Sequence, residues 1–252
     1  MAHRPFREHF APPTEPYFRW RGGEITRIEG FSDAVFAFAV SLLVVALEVP
    51  HTYAELLGVL RAFPGFIASF VLLYLFWSYH YRYFRRYGLE DNFSKWLNAA
   101  LLLLVLFSVY PLKFLFGLMF QGLFGSSGLH GTHAISLSSE QEWSGLLYIY
   151  GAGLAGIFCC YAGLYQHAYN LRARLRLTRA EEILTVSAVR GYAIAIGVCL
   201  LSLLMVKLGR NAEAGWVYFL IAILVPISTR WHKRAARRAE EAWRARRQAE
   251  SR

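Results

Sequence analysis

The sequence predicts an all-α fold: a polytopic membrane protein with six transmembrane helices and both termini in the cytoplasm. Three observations predict it. Hydrophobic residues make up 56% of the chain and charged residues 17%, against about 45–50% and about 25% in soluble domains. Six segments approach the roughly 20 apolar residues that a hydrocarbon layer of about 30 Å requires. Lysine and arginine gather in every second connection, as the positive-inside rule demands.

Residues 1–23 carry prolines, charges and no apolar run, so they read as a mobile cytoplasmic tail and not as a secretory signal. A six-helix transmembrane domain follows at 24–232, with spans at 31–49, 56–79, 96–120, 144–167, 187–208 and 214–231. The third holds a single charged residue, Lys113, between Trp96 and Phe120. Arg4, Arg7, Arg19, Arg21 and Arg27 precede the first span, and Arg82, Arg85, Arg86 and Lys95 follow the second. Arg172, Arg174, Arg176 and Arg179 follow the fourth, and a basic run from Arg230 to Arg252 follows the sixth. The alternate connections hold almost no basic residue, with Arg210 alone between the fifth and sixth spans. An even number of spans and cytoplasmic termini fit every segment. Residues 233–252 form a basic, alanine-rich helix or tail, with Arg237–Glu241 and Glu240–Arg244 four apart. It lies near anionic lipid. This juxtamembrane position accounts for the charge, and no nucleic-acid partner is called for.

The run "LRARLRLTR" spaces its arginines by two residues, not by the three that would stripe a voltage-sensing helix. It is a positive-inside anchor. Cys159, Cys160 and Cys199 lie in apolar segments and are packing residues. "HGTH", with His130 and His133, lacks the further ligands that a structural zinc site needs, so no metal is expected.

The first span opens with "RIEGFSDAVFAFAV" and contains an anomaly, Ser32 and Asp33 in an apolar run. A carboxylate at the centre of a span costs about 2.5–3.5 kcal/mol on insertion scales. Arg27 cannot neutralise it, because six residues leave the two side chains about 120° apart on the helix. A partner must come from another helix at the same depth. The first span begins, the second ends and the third begins at one surface. That level brings together Asp33, the group Trp77, Ser78 and His80, and the pair Trp96 and Asn98. The alternative is that Ser32 and Asp33 face lipid headgroups and His80 is interfacial.

Counting heptad steps, Ala34, Phe38, Ser41, Val45 and Glu48 form a continuous stripe, with Asp33, Ala37, Val40, Val44 and Leu47 to its side. Such a stripe suits a helix–helix seam or a pore wall.

R-x-x-x-F-S-D (Arg27, Phe31, Ser32, Asp33), W-x-x-H (Trp77, His80) and the run from Asn98 to Pro111 resemble the signature of the transmembrane protein 175 family. These are endosomal and lysosomal potassium channels and their bacterial relatives. One six-helix unit matches the bacterial branch. The resemblance implies a homotetrameric cation channel in the bilayer, with the first helix of each subunit lining the pore. It implies potassium and other monovalent cations as permeant ions, no cofactor, and a multi-pass location in the cell membrane. The family's hydrophobic constriction falls on Phe38, its hydroxyl layer on Ser41 and a further apolar layer on Val45. Relatives commonly carry an aliphatic residue and a threonine in the first two places. Arg27, Phe31, Ser32 and Asp33 become a network that fixes the pore helix, with Trp77, His80 and Asn98 as partners. Glu48 either concentrates cations at the outer mouth or is an interfacial residue.

Three functions compete. The leading one is a passive, potassium-preferring channel gated at a hydrophobic constriction. The alternative is a proton or ion-coupled transporter using Asp33, His80 and Lys113, although no clear internal repeat of the kind transporters tend to show relates the two halves. An enzyme is the weakest reading, since no Ser-His-Asp or phosphate-loop pattern occurs.

Overall fold

The computed structural model of the protein describes residues 17–45, 51–124 and 139–250. They form seven helices and no strand. In chain order these are α1 (Arg27–Val45), α2 (Tyr53–Tyr87), α3 (Asn92–Phe124), α4 (Glu140–Asn170), α5 (Arg179–Lys207), α6 (Asn211–Trp216) and α7 (Phe219–Glu250). Six helical segments are long and apolar enough to cross a membrane, the last of them comprising α6 and the first part of α7.

Local chemistry sets several of the helix ends. At α1, Thr26 and Glu29 form a reciprocal cap: the Thr26 hydroxyl accepts from the Glu29 N–H, and the Glu29 carboxylate accepts from the Thr26 N–H. Thr52 caps α2 through the Glu55 N–H, and Thr178 with Glu181 repeats the reciprocal cap at α5. α2 stops at Gly88, whose φ of 58° is the left-handed conformation glycine adopts without strain. α2 runs beyond the expected 56–79 because its final turns carry Tyr83, Phe84 and Tyr87, all buried. α7 continues from the sixth span to Glu250, so the basic residues from Lys233 to Arg247 lie on the same helix as the end of that span.

α4 lies at the centre of the subunit, packed on α3 and α5, while α1 packs chiefly on α2 and α3, and α7 chiefly on α5. Small residues on α4 permit the close approach typical of membrane helices; a Cβ on Gly163 would lie 2.9 Å from Leu97 of α3. The core at the basic end of the bundle is aromatic, with Tyr83, Tyr87, Tyr161, Tyr165 and Tyr192 in mutual ring contact. Buried phenols need partners. Tyr161 donates to the Phe76 carbonyl at 2.6 Å. Tyr87 meets Thr185 at 2.7 Å and is the donor there, because the Thr185 hydroxyl already donates to the Glu181 carbonyl.

Residues 17–23 depart from the mobile tail expected of 1–23. Phe18 is buried, its ring set edge-on to Tyr87 and covered by the Arg86 guanidinium. The segment is held because its aromatic and arginine side chains fill the basic end of the bundle.

Candidate functional site

α1 has two opposed faces. Its buried face is Glu29, Ser32, Phe36, Ala39 and Leu43, a heptad seam against α2 and α3. At about 100° per residue, the stripe of Ala34, Phe38, Ser41 and Val45 lies close to diametrically opposite that seam. All four stripe residues are exposed, Phe38 by 56% and Val45 by 77%. Val44 lies to one side of the stripe and is 48% exposed. The Ser41 hydroxyl donates to the Ala37 carbonyl at 3.0 Å, so its oxygen faces outward as an acceptor. The subunit thus leaves uncovered one mostly apolar face with a single hydroxyl. Glu48 lies outside the described residues.

On the seam, Ser32, His80 and Asn98 meet in a buried chain. Asn98 Nδ2 donates to Ser32 Oγ at 2.9 Å, and Asn98 Oδ1 pairs with His80 Nε2 at 2.9 Å. Ser32 itself donates to the Ile28 carbonyl at 2.8 Å. That donation makes its oxygen the acceptor, orients the Asn98 amide, and requires the proton of His80 on Nε2. Phe36 and Phe84 pack against the imidazole.

Asp33 belongs to a separate contact. Its Oδ1 accepts from Trp77 Nε1 at 2.8 Å in an exposed setting, and it makes no hydrogen bond to His80. The single network expected from the sequence is therefore two, because Ser32 and Asp33 are adjacent and project about 100° apart. Arg27 is exposed and Phe31 is 63% exposed, so neither joins the network within the subunit. Trp96 is 79% exposed and stands apart, and Ser78 makes no hydrogen bond among the described residues. His130 and His133 lie outside the described residues, as does the side chain of Lys113. Among the described residues no group of three metal-ligating side chains occurs.

Sequence reasoning missed Glu29. It is 5% exposed on the α1 seam, with Oε1 3.3 Å from Nε of Arg85 on α2. The signal was present as Thr-x-x-Glu before an apolar run. It missed equally the bidentate pair of Arg21 with Glu181, for which no local pattern exists.

Six apolar spans, a polar seam fixing the first helix, and a second face of that helix left uncovered by its own subunit define a multi-pass helical membrane protein. The profile of the family described as endosomal/lysosomal potassium channel TMEM175 matches residues 27–111. A potassium channel of Marivirga tractuosa is 33% identical over 234 residues, covering 88% of this chain and 94% of the relative. The crystal structure of a threonine-to-alanine variant of the potassium channel MtTMEM175, bound to a nanobody fusion, superposes with a TM-score of 0.75 at 33% identity, covering 87% of this chain and 98% of that one. A lysosomal potassium-selective channel TMEM175 homolog from Chamaesiphon minutus shares the fold, with a TM-score of 0.53 at 23% identity over 81% of this chain and 96% of the other. The chain belongs to the TMEM175 family, a family of channels and not of enzymes.

Proposed function

We propose that the protein is a passive potassium-preferring channel of the cell membrane, a homotetramer whose pore is lined by α1 of each subunit and gated at a ring of Phe38 side chains. Both termini are cytoplasmic, and residues 24–232 are the channel domain. The observation that carries this reading is the exposed face of α1, opposite the seam that anchors the helix to its own subunit. Four phenyl rings at one level leave little wetted cross-section, and an apolar constriction conducts only when it widens or wets. Ser41 sits one turn beyond, and four such oxygens replace part of the hydration of a dehydrating cation. Ala34 and Val45 bound these layers. Potassium is the permeant ion and no cofactor is required.

The test is single-channel recording of the purified protein in bilayers under bi-ionic potassium/sodium conditions. Phe38→Ala is expected to raise potassium current and to admit larger cations. Phe38→Asn raises current without a comparable gain in cation size. Ser41→Ala lowers the preference for potassium over sodium, and Val44→Ala, about 100° round from Val45, changes conduction little. Equal effects at Phe38 and Val44 would mean that the stripe faces lipid or another helix, and the pore reading would fall.

A further inference from the structure

We infer that residues 17–23 are a strap that positions the start of the pore helix, with Arg21 and Glu181 as its latch. The inference rests on the reading of α1 as pore lining. The Glu181 side chain is 1% exposed and accepts four N–H groups: Thr178 N at 2.8 Å, Arg19 N at 2.9 Å, and Arg21 Nη1 and Nη2 at 3.1 and 2.7 Å. Arg21 Nε also donates to the Leu175 carbonyl at 3.0 Å. One guanidinium therefore clamps the first turn of α5 and the turn before it in a fork geometry that lysine cannot reproduce.

The strap is tied to α2 as firmly. The backbone N–H groups of Arg21 and Gly22 both donate to the Arg85 carbonyl at 3.1 Å. The approach needs glycine, since a Cβ at Gly22 would lie 3.0 Å from the Phe84 carbonyl oxygen and 3.1 Å from Arg85 Cα. Arg85 completes the path. Its Nη1 donates to the Gly23 carbonyl at 2.9 Å, and its Nε lies 3.3 Å from Oε1 of Glu29 on α1. A continuous series of polar contacts therefore runs from α5, through the strap and the end of α2, to the first turn of α1. Only Glu24, Ile25 and Thr26 separate Gly23 from Arg27, and Glu24 and Ile25 are exposed. Gly23 and Arg27 are thus four residue steps apart, a reach of at most about 14 Å, so the strap limits where α1 can begin.

The consequence is mechanical. Phe38 lies twelve residues beyond Thr26, or about 18 Å along the helix. A tilt of about 5° pivoting at Thr26 moves it by about 1.5 Å over that length, and a dewetted constriction responds to such displacements. The strap restrains that tilt, and its release frees α1 to reach wider positions. Arg21, Glu181, Gly22 and Arg85 are positioning residues, remote from the ion path.

Two variants release the strap without stranding a buried charge: the double substitution Arg21→Gln/Glu181→Gln, and Gly22→Ala. Amide exchange at 21 and 22 reports release, size-exclusion chromatography reports assembly, and single-channel recording reports gating. The expected result is faster exchange, an unchanged oligomer, and open probability raised about fivefold, equivalent to about 1 kcal/mol. Unitary conductance and the potassium-to-sodium permeability ratio stay at their unsubstituted values. A purely structural strap would lower thermal stability and leave open probability alone, so a released strap with unchanged gating overturns the inference. Persistent protection at 21 and 22 in both variants overturns the latch. The Phe38 substitutions in the unsubstituted strap background keep the two readings apart. If they alter current while strap release does nothing, the strap fails alone; if they do nothing, the pore reading fails first.

Discussion

Replacing Asn98 with alanine removes the link between α1 and α2 inside the buried polar chain. Ser32, His80 and Asn98 are 0%, 1% and 3% exposed, so water cannot substitute for the lost amide. Two interhelical hydrogen bonds disappear, each 2.9 Å long. Such bonds in membrane proteins average about 0.6 kcal/mol and reach about 1.7, which puts the pair at about 1–3.5 kcal/mol. Ser32 keeps its bond to the Ile28 carbonyl, but the His80 N–H is stranded, and an unsatisfied buried donor costs about 1–3 kcal/mol. The expected destabilisation is therefore about 2–3 kcal/mol, the upper part of that range. Reversible unfolding in mixed lipid–detergent micelles measures it, and double-mutant cycles apportion it. Asn98→Ala with His80→Ala is expected to be non-additive by about 1 kcal/mol, as for neighbours in one network. Asp33→Ala with His80→Ala is expected to be additive within about 0.5 kcal/mol, because Asp33 bonds Trp77 instead. The reverse pattern, coupling of Asp33 to His80 and none of Asn98, would refute the two-network geometry.

Two further outcomes follow from other parts of the molecule. Burial pushes the Asp91 carboxyl up, but the Ser94 N–H and His167 outweigh it and hold the group below its ordinary value of 3.8. A lowered folded value means that the stabilisation from Asp91 is present above that ordinary value and is lost as pH falls through the lowered one. The stability difference between the unsubstituted protein and Asp91→Asn should thus persist at pH 5 and shrink in stronger acid, as thermal melts in detergent across pH will register. For topology, in a background without native cysteines, a cysteine replacing Ser126 should react with an impermeant thiol reagent added outside intact cells. One replacing Ala239 should not, and the opposite labelling would invert the membrane orientation.

The sequence by itself determined the number of spans, the all-helical class and the family. The reason is that a segment crossing lipid must satisfy its backbone within its own helix and cover itself with apolar side chains, which leaves a local record. It also determined that Ala34, Phe38, Ser41 and Val45 share one face of α1, because helical periodicity is local too. The depth argument that brought the start of α1, the end of α2 and the start of α3 to one level followed from span order and charge. Only the tertiary structure decided how the helices are rotated about their axes, and small changes in rotation reassign polar partners. Asp33 therefore meets Trp77 and not His80, and Arg27 and Phe31 turn away from the seam. The Glu29–Arg85 contact and the Arg21–Glu181 clamp join residues 56 and 160 positions apart. No local pattern carries pairings at that separation, since they exist only once folding has brought residues 17–23, the start of α1, the end of α2 and the start of α5 to one end of the bundle.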